Sequence, residues 1–317
     1  MKTQTPIQSA FDASSTASDV LQYVELSGKV VLITGGHSGL GFESTKALTN
    51  VGAHVIIGAR DTLRASNAVR GVNNVTIFPL DLSDIESVKR FSQSIIESNI
   101  SFDIVLCNAG IMACPENRLG LGWESQFATN HLGHYVLINL IWENINQDSR
   151  IVCTSSAGHH NSPIQWNDVH FESDYDKWLA YGQSKTANAL FALQLNSYGQ
   201  DRGIKAFSVH PGNIFTPLQR HLTSEEMSSK GWVDTDGNPI DPTFKTPEQG
   251  AATQIWAATS IDLNELGGVY CEDCNIAGLA SNYNAPYRGV CSYAVDPNEA
   301  LKLWKLSAEL TNINAFI

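Results

Sequence analysis

Tyr181 and Lys185 lie four residues apart in the stretch Leu179-Ala-Tyr-Gly-Gln-Ser-Lys-Thr-Ala-Asn-Ala-Leu190. The stretch is rich in Ala, Leu and Gln and contains no Pro, which predicts a helix. On a helix that spacing puts both side chains on one face, one turn apart. A phenol beside an ammonium is a proton-transfer device. Free Tyr titrates near ~10, and a cation within about 4–6 Å favours the phenolate and draws that value down. Tyr-x-x-x-Lys also arises by chance on surface helices, so the device needs partners from elsewhere in the chain.

A strand, a glycine turn and a helix offer the first of them. Lys29-Val-Val-Leu-Ile-Thr34 is a continuous apolar run that predicts a buried strand. It flows into Gly35-Gly-His-Ser-Gly39-Leu-Gly41, after which Phe42 to Leu48 reads as helix. In that setting glycines let the backbone approach a pyrophosphate, and the N–H groups at the helix start bind it. The spacing is Gly-x-x-x-Gly-x-Gly rather than Gly-x-Gly-x-x-Gly. A second strand, His54 to Gly58, ends at Ala59-Arg60-Asp61. An NAD site places an acid about 20 residues past the glycines to hold the ribose 2′-OH. Arg60 stands there instead, and a guanidinium suits a 2′-phosphate. His37 and Ser38 in the turn can add donors. The expectation is NADP over NAD, although Asp61 is adjacent and a shift of one residue would reverse it.

The positioning elements continue in alternation. Strands are expected at 75–78, 102–106, 150–154, 204–209 and 269–270, with helices at 84–97, from Trp123 to Ile145, and around Tyr181. Near-continuously apolar strands alternating with helices predict an α/β fold: a single-domain, Rossmann-type, doubly wound parallel sheet of about seven strands with helices on both faces. Ligands in such sheets bind beyond the carboxyl ends of the strands. Gly35–Gly41, Arg60, Asp81, Asn108–Gly110, Ser156 and Pro211–Gly212 all fall there and are expected to share one crevice.

Composition narrows the function classes. The chain has 317 residues, 43% hydrophobic, enough for a large core, and a net charge of −12. No Lys/Arg cluster stands out, which argues against nucleic acid and anionic membranes as partners. The six cysteines (Cys107, Cys114, Cys153, Cys271, Cys274 and Cys291) sit mostly in strand-like runs. That points to a reducing compartment, the cytoplasm, rather than a disulfide framework. Cys271-Glu-Asp-Cys274 is a single CxxC without a second pair, and no metal site is expected. No apolar run reaches the ~18 residues of a membrane span. Residues 1–27 read as an N-terminal arm: a mobile start, then a short docked helix whose capping box is Thr16-Ala-Ser-Asp19. Residues 28–317 read as the catalytic domain.

Taken together, the motifs resemble those of the short-chain dehydrogenases/reductases. The matching residues are Thr34-Gly-Gly-His-Ser-Gly-Leu-Gly41, Asp81, Asn108-Ala-Gly110, Asn130, Ser156, Tyr181-x-x-x-Lys185, and Pro211-Gly212 with Thr216. They occur in the family's order between residue 29 and about 275. Ala59-Arg60-Asp61 and Arg150-Ile-Val-Cys-Thr-Ser-Ser156 are most similar to the retinol dehydrogenase and WW-domain oxidoreductase branch. The resemblance implies hydride exchange between NADP(H) and a carbonyl or alcohol. Tyr181 would pass the proton, and Lys185 would lower its pKa and hold the nicotinamide ribose. Ser156, taken in preference to Ser155, would orient the substrate oxygen, and Asn130 would hold a water as a proton relay. Gly35, His37, Ser38, Gly39, Leu40, Gly41, Arg60, Asp81, Leu82, Asn108, Ala109 and Gly110 would line the cofactor site. Pro211, Gly212, Ile214 and Thr216 would back the nicotinamide. Homodimers or homotetramers are common in the family.

Specificity is expected in residues 213–245, where Phe215, Leu222, Met227, Trp232 and Phe244 form an apolar flap suited to a lipophilic substrate, with Phe215 and Trp232 in contact with it. Plain helix packing is the competing reading of that segment. Two other functions stay open: a non-catalytic dinucleotide-binding sensor or scaffold, and an isomerase or lyase with tightly held cofactor.

Overall fold

In the computed structural model, which describes residues 4–281 and 287–316, the apolar runs assemble into one eight-stranded sheet. Its strands are β1 (Val30–Thr34), β2 (His54–Ala59), β3 (Val75–Pro79), β4 (Phe102–Cys107), β5 (Ile145–Thr154), β6 (Lys205–His210), β7 (Tyr270–Glu272) and β8 (Asn275–Ile276). The order is β8-β7-β6-β5-β4-β1-β2-β3. Every pairing is parallel except β7 with β8. The chain starts at β1 in the middle and winds outward both ways, which makes the fold Rossmann-type and doubly wound.

Helices cover both faces: α1 (Ala17–Val20), α2 (Gly39–Asn50), α3 (Thr62–Ala68), α4 (Ile85–Glu97), α5 (Ser125–Phe127), α6 (Gly133–Leu140), α7 (Lys177–Tyr198), α8 (Ser224–Ser229), α9 (Pro247–Thr259) and α10 (Pro297–Thr311). The strands are apolar throughout because both faces are buried. Val31, Ile33, Val55, Ile57, Ile104 and Leu106 pack under α1, α2, α3 and α9. Leu32, Ile56, Val105 and Ile151 alternate to the other face, under α4, α6, α7 and α10.

The expected fold of about seven strands holds with one strand more, and two other expectations need correction. The sheet has an eighth strand, because Cys271-Glu-Asp-Cys274 makes a tight hairpin. Cys271 pairs with Ile276 and Glu272 with Asn275, while Asp273 and Cys274 take φ values of 50° and 54°. Positive φ at both central residues is the hairpin geometry that follows the strand twist. Trp123 to Ile145 is not one helix. Trp123 and Glu124 are extended and pair with Arg118 and Leu119. The buried Glu124 carboxylate then caps α5, accepting from Gln126 N and Phe127 N at 2.9 and 2.7 Å. A π-helical turn, Ala128–Leu132, follows before α6, and Ile145 already belongs to β5. Finally, the arm from Gln4 to Ile7 is pinned to the sheet edge. Gln4 Nε2 donates to Tyr270 O and Ala277 O, both at 2.7 Å, and Ile7 N donates to Asn275 Oδ1 at 2.9 Å. An open strand edge offers such groups. The capping box on α1 forms between Thr16 and Asp19.

Candidate active site

The carboxyl ends of β1, β4, β5 and β6 border one cavity of about 1140 Å³. Thr34, the last residue of β1, ties two of these ends together. Its Oγ1 accepts from Asn108 N and Ala109 N, each at 3.0 Å, and Asn108 Nδ2 returns a bond to Thr34 O at 3.0 Å. The same hydroxyl donates to His134 Nε2 at 2.9 Å, while His134 Nδ1 donates to Asn130 O at 2.9 Å. That network assigns the tautomer. It suits a neutral imidazole, since burial pushes His134 down to about 4.

Asn130, in the π turn, clamps the chain after Gly110. Its Oδ1 accepts from Ile111 N at 2.8 Å, and its Nδ2 donates to Ile111 O and Ser184 Oγ, both at 2.9 Å. Both amide hydrogens are thus spent on protein atoms, and a water on this side chain has only the second Oδ1 lone pair. Gly110 is needed for the close approach. A Cβ there would stand 3.0 Å from Asn130 Oδ1 and 3.5 Å from Lys185 Nζ.

Helix α7 begins at its cap Asp176, which accepts from Trp178 N and Leu179 N at 2.8 Å. One turn in, it delivers Tyr181 and Lys185 to the cavity wall. The adjacent serines at the end of β5 part company here. Ser155 Oγ donates to Lys185 O at 2.8 Å and is buried. Ser156 hydrogen-bonds with the Tyr181 hydroxyl and accepts from Gly158 N at 3.0 Å. Lys185 Nζ donates to Thr154 O at 3.0 Å and stands 5.7 Å from the Tyr181 ring centre. Its expected effect on Tyr181 is not what this geometry delivers. Burial pushes the phenol up to about 12, against the lowering hydrogen bond of Ser156, and burial pulls Lys185 down to about 8. The ammonium faces a backbone carbonyl rather than the phenol, and desolvation dominates both groups.

The glycine turn fits a dinucleotide on its own evidence. Ser38 is the N-cap of α2 but makes no side-chain cap bond, and the first turn, Gly39-Leu40-Gly41, carries no acid. Its N–H groups and the hydroxyl are open to an anion. Gly41 must be glycine, because a Cβ would lie 2.5 Å from Gly35 O. His37 Nδ1 is buried without a partner and lines the cavity. Beside it stand the exposed guanidinium-bearing Arg60 and Arg64. Asp61 is occupied as the cap of α3, accepting from Arg64 N at 2.9 Å. Asp81 and Leu82 line the same cavity, with Asp81 Oδ1 accepting from Ser83 N and Oγ at 2.9 and 2.6 Å.

Pro211, Gly212, Ile214 and Thr216 form the opposite wall. Thr216 faces Gly39, where a Cβ would meet it at 3.4 Å. The segment 213–245 is neither a loop nor a packed helix pair. Asn213–Ile214 pairs with Phe244–Lys245, and between them lie a 3-10 turn, Pro217–His221, and α8. Trp232 borders the cavity with Trp178, Met112, Leu218 and Phe244. Phe215 does not. It turns away to stack on Phe244, ring centres 4.2 Å apart, because Ile214 beside it takes the buried side of the short strand. Lys230 sits 4.0 Å over the Trp178 ring, and Glu226 pairs with Lys177 of α7.

The sequence profile of the short chain dehydrogenase family matches residues 29–227. The chain belongs to that family. Among curated relatives it is 40% identical over 297 residues to a "Probable oxidoreductase" of Streptomyces lividans, spanning 90% of this chain and 98% of that one. It is 33% identical over 298 residues to retinol dehydrogenase 12 of Mus musculus, spanning 92% and 88%. Among solved structures, an uncharacterised protein of Mycobacterium paratuberculosis superposes with a TM-score of 0.72 at 30% identity, over 96% of this chain and 99% of that one. The short-chain dehydrogenase therefore falls in the retinol dehydrogenase-like branch. Among its described residues no helix is long and apolar enough to cross a membrane.

The sequence left several residues of this dehydrogenase's site without a role. Thr34 and His134 are the hub behind Asn108 and Asn130, and the Asn130/His134 spacing of one helical turn was the available signal. His210 Nδ1 accepts from Ala157 N at 3.1 Å, steadying the turn after Ser156. Arg64 and Trp178 also face the cavity, as do Ala13 and Ser14 of the N-terminal arm.

Proposed function

We propose that this short-chain dehydrogenase interconverts a carbonyl and an alcohol on a lipophilic substrate, using NADP(H). The observation that supports it most is the meeting of Ser156, Tyr181 and Lys185 on the wall of the cavity that also holds the open start of α2. When bound, the nicotinamide gives or takes the hydride. Tyr181 holds the proton for the substrate oxygen at its hydroxyl. With the phenol pushed up to about 12 that proton is present at neutral pH, which suits carbonyl reduction. Ser156 donates to the developing charge on the same oxygen. Lys185, held by Thr154 O, supplies positive charge beneath the site. Gly35, Ser38–Gly41 and the α2 amides would hold the pyrophosphate. Asp81–Leu82 and Asn108–Gly110 would line the adenosine side, and Pro211, Gly212, Ile214 and Thr216 the nicotinamide side. Trp178, Trp232, Met112 and Leu218 exclude water from an apolar substrate.

The NADP preference rests on Arg60, Arg64 and the unpartnered His37 Nδ1, with Asp61 engaged as a cap. Arg60→Ala is expected to weaken NADPH binding at least tenfold more than NADH binding, a difference of about 1.4 kcal/mol. Equal losses, or a wild type that prefers NADH, would refute the assignment. Turnover of a panel of ketones, aldehydes and alcohols with added NADPH or NADP tests the reaction itself. Binding without net turnover would favour a sensor or an isomerase.

A further inference from the structure

One cluster outside the site joins a nucleophile to two imidazoles. His159, His160 and Cys291 bring one ring nitrogen or sulfur each within 4.8 Å of one another. The histidines sit on the 3-10 turn Ala157–Asn161 that follows Ser156, and Cys291 caps the turn Ser292–Val295. Hydrogen bonds decide which imidazole is the base. His159 Nδ1 donates to Ser156 O at 2.7 Å, and its Nε2 accepts from Cys291 N at 3.1 Å, so both its nitrogens are used. A metal would have to displace that second bond. His160 Nε2 donates to Gly289 O at 3.0 Å, which leaves the Nδ1 lone pair. The Cys291 sulfur lies within 4.8 Å of a ring nitrogen of each histidine, and of the two only His160 keeps a lone pair to take its proton. Nucleophile, base and a carbonyl that orients the base form the arrangement that activates thiols.

The remaining thiols differ. Cys107, Cys114, Cys153, Cys271 and Cys274 are buried, whereas Cys291 is half-exposed. Burial pushes Cys114 up to about 11 and Cys274 up to about 12. Burial acts on Cys291 too, but the polar groups of His159, His160 and Tyr293 around it prevail and bring it down to about 6, while His160 is raised. The other groups facing the pair are Tyr270, His210 and Glu272, the last beside Arg288.

We propose that Cys291, with His160 as its base, is a peroxide-reactive thiol whose oxidation disturbs the Ser156 turn. The thiolate attacks one oxygen of a hydroperoxide. An S–O bond forms, the O–O bond breaks, and sulfur gives up two electrons. The leaving alkoxide, or hydroxide where the oxidant is hydrogen peroxide, takes the imidazolium proton to leave as alcohol or water, and a sulfenic acid remains. An oxygen added at sulfur crowds both histidines. His159 holds Ser156 O, and Gly158 between them lies so close to Tyr181 that a Cβ would stand 2.7 Å from its ring. The effect on turnover, though not the thiol chemistry, rests on the proposed reaction.

The intact protein is alkylated with iodoacetamide from pH 5 to 9.5 and each cysteine followed by mass spectrometry. Cys291 is expected to react first, at a rate that levels off by about pH 7 instead of climbing through ~8.5. At pH 6 its thiolate fraction exceeds an ordinary thiol's by about 150-fold. The weaker nucleophilicity of a less basic thiolate takes back about tenfold, leaving a net gain on the order of tenfold that His160→Gln abolishes. Hydrogen peroxide with dimedone then gives an adduct at Cys291 and a several-fold fall in carbonyl reduction. Cys291→Ser gives neither. A wild-type profile rising through ~8.5, or a Cys291 unreactive in the folded protein, overturns the thiolate whatever the variant does. An adduct with unchanged turnover overturns the link to Ser156. Labelling needs no turnover, so it decides the thiol even where the reading of the reaction fails.

Discussion

Tyr181 carries two opposing demands. Its ring is packed in the wall against Gly158, and its hydroxyl has to exchange a proton. Burial wins in the structure and holds the phenol protonated, with Ser156 as its hydrogen-bond partner. Tyr181→Phe keeps the packing and removes the proton, so kcat is expected to fall by at least ~10²-fold, with unfolding unchanged. Near-normal kcat would sink the mechanism. The pH dependence follows from the sign. Reduction needs the protonated phenol and is lost as pH rises through its titration, whereas alcohol oxidation needs the phenolate and climbs with pH. Lys185→Met removes the ammonium that Thr154 O holds facing away from the phenol, and should leave the oxidation limb where it is while weakening cofactor binding. A limb that moves higher would show that the ammonium reaches the phenol during turnover. The Tyr181/Lys185 pair was legible because one helical turn fixes which side chains meet. The dominance of burial over the neighbouring cation was not, because it depends on where Thr154 O lies.

At the scale of elements, the sequence was most legible where periodicity and a cap agreed. β1, the glycine turn and α2 follow from an unbroken apolar run ending in glycines, and α4 from Asp84 ahead of an amphipathic stretch. It was least legible where a polar side chain overrides the pattern. Trp123 to Ile145 is apolar enough to read as one helix. Burying the Glu124 carboxylate as a cap forces Trp123 and Glu124 into a hairpin, and the Asn130 clamp accompanies the π turn. The flap shows the same limit. Phe215 and Trp232 are both large and apolar, and only the pairing of Asn213–Ile214 with Phe244–Lys245 decides which faces the cavity. This yields a paired prediction. Trp232→Ala should raise KM for bulky carbonyls several-fold with NADPH affinity intact. Phe215→Ala should lower stability through the lost stack on Phe244 while changing KM less, since such a pair contributes ~0.5–1.5 kcal/mol beyond its burial. A larger KM effect at Phe215 would mean that it, rather than Trp232, meets the substrate.

The whole molecule joins its sheet edge, its carboxyl-end cavity and its two cores through buried polar groups, with imidazoles among them. His134 links β1 to the π turn, His210 holds the turn after Ser156, and His131 Nε2 bonds Ser307 Oγ of α10 at 2.7 Å. Burial pushes them down to about 4, 4 and 3. In the unfolded chain each takes a proton near ~6.5, and in the native protein each stays neutral until far lower pH. Between those values the unfolded state binds more protons, so stability is present at neutral pH and is lost as pH falls. Near pH 6 unfolding should take up about two protons, a slope of about 2.7 kcal/mol per pH unit. His160, raised by Cys291, offsets part of it. Urea unfolding followed from pH 7 to 5 measures that slope directly. A stability that stays level across this range would mean that these three imidazoles gain their protons within the folded protein, and that the Thr34–His134–Asn130 link is not the fixed frame of the site.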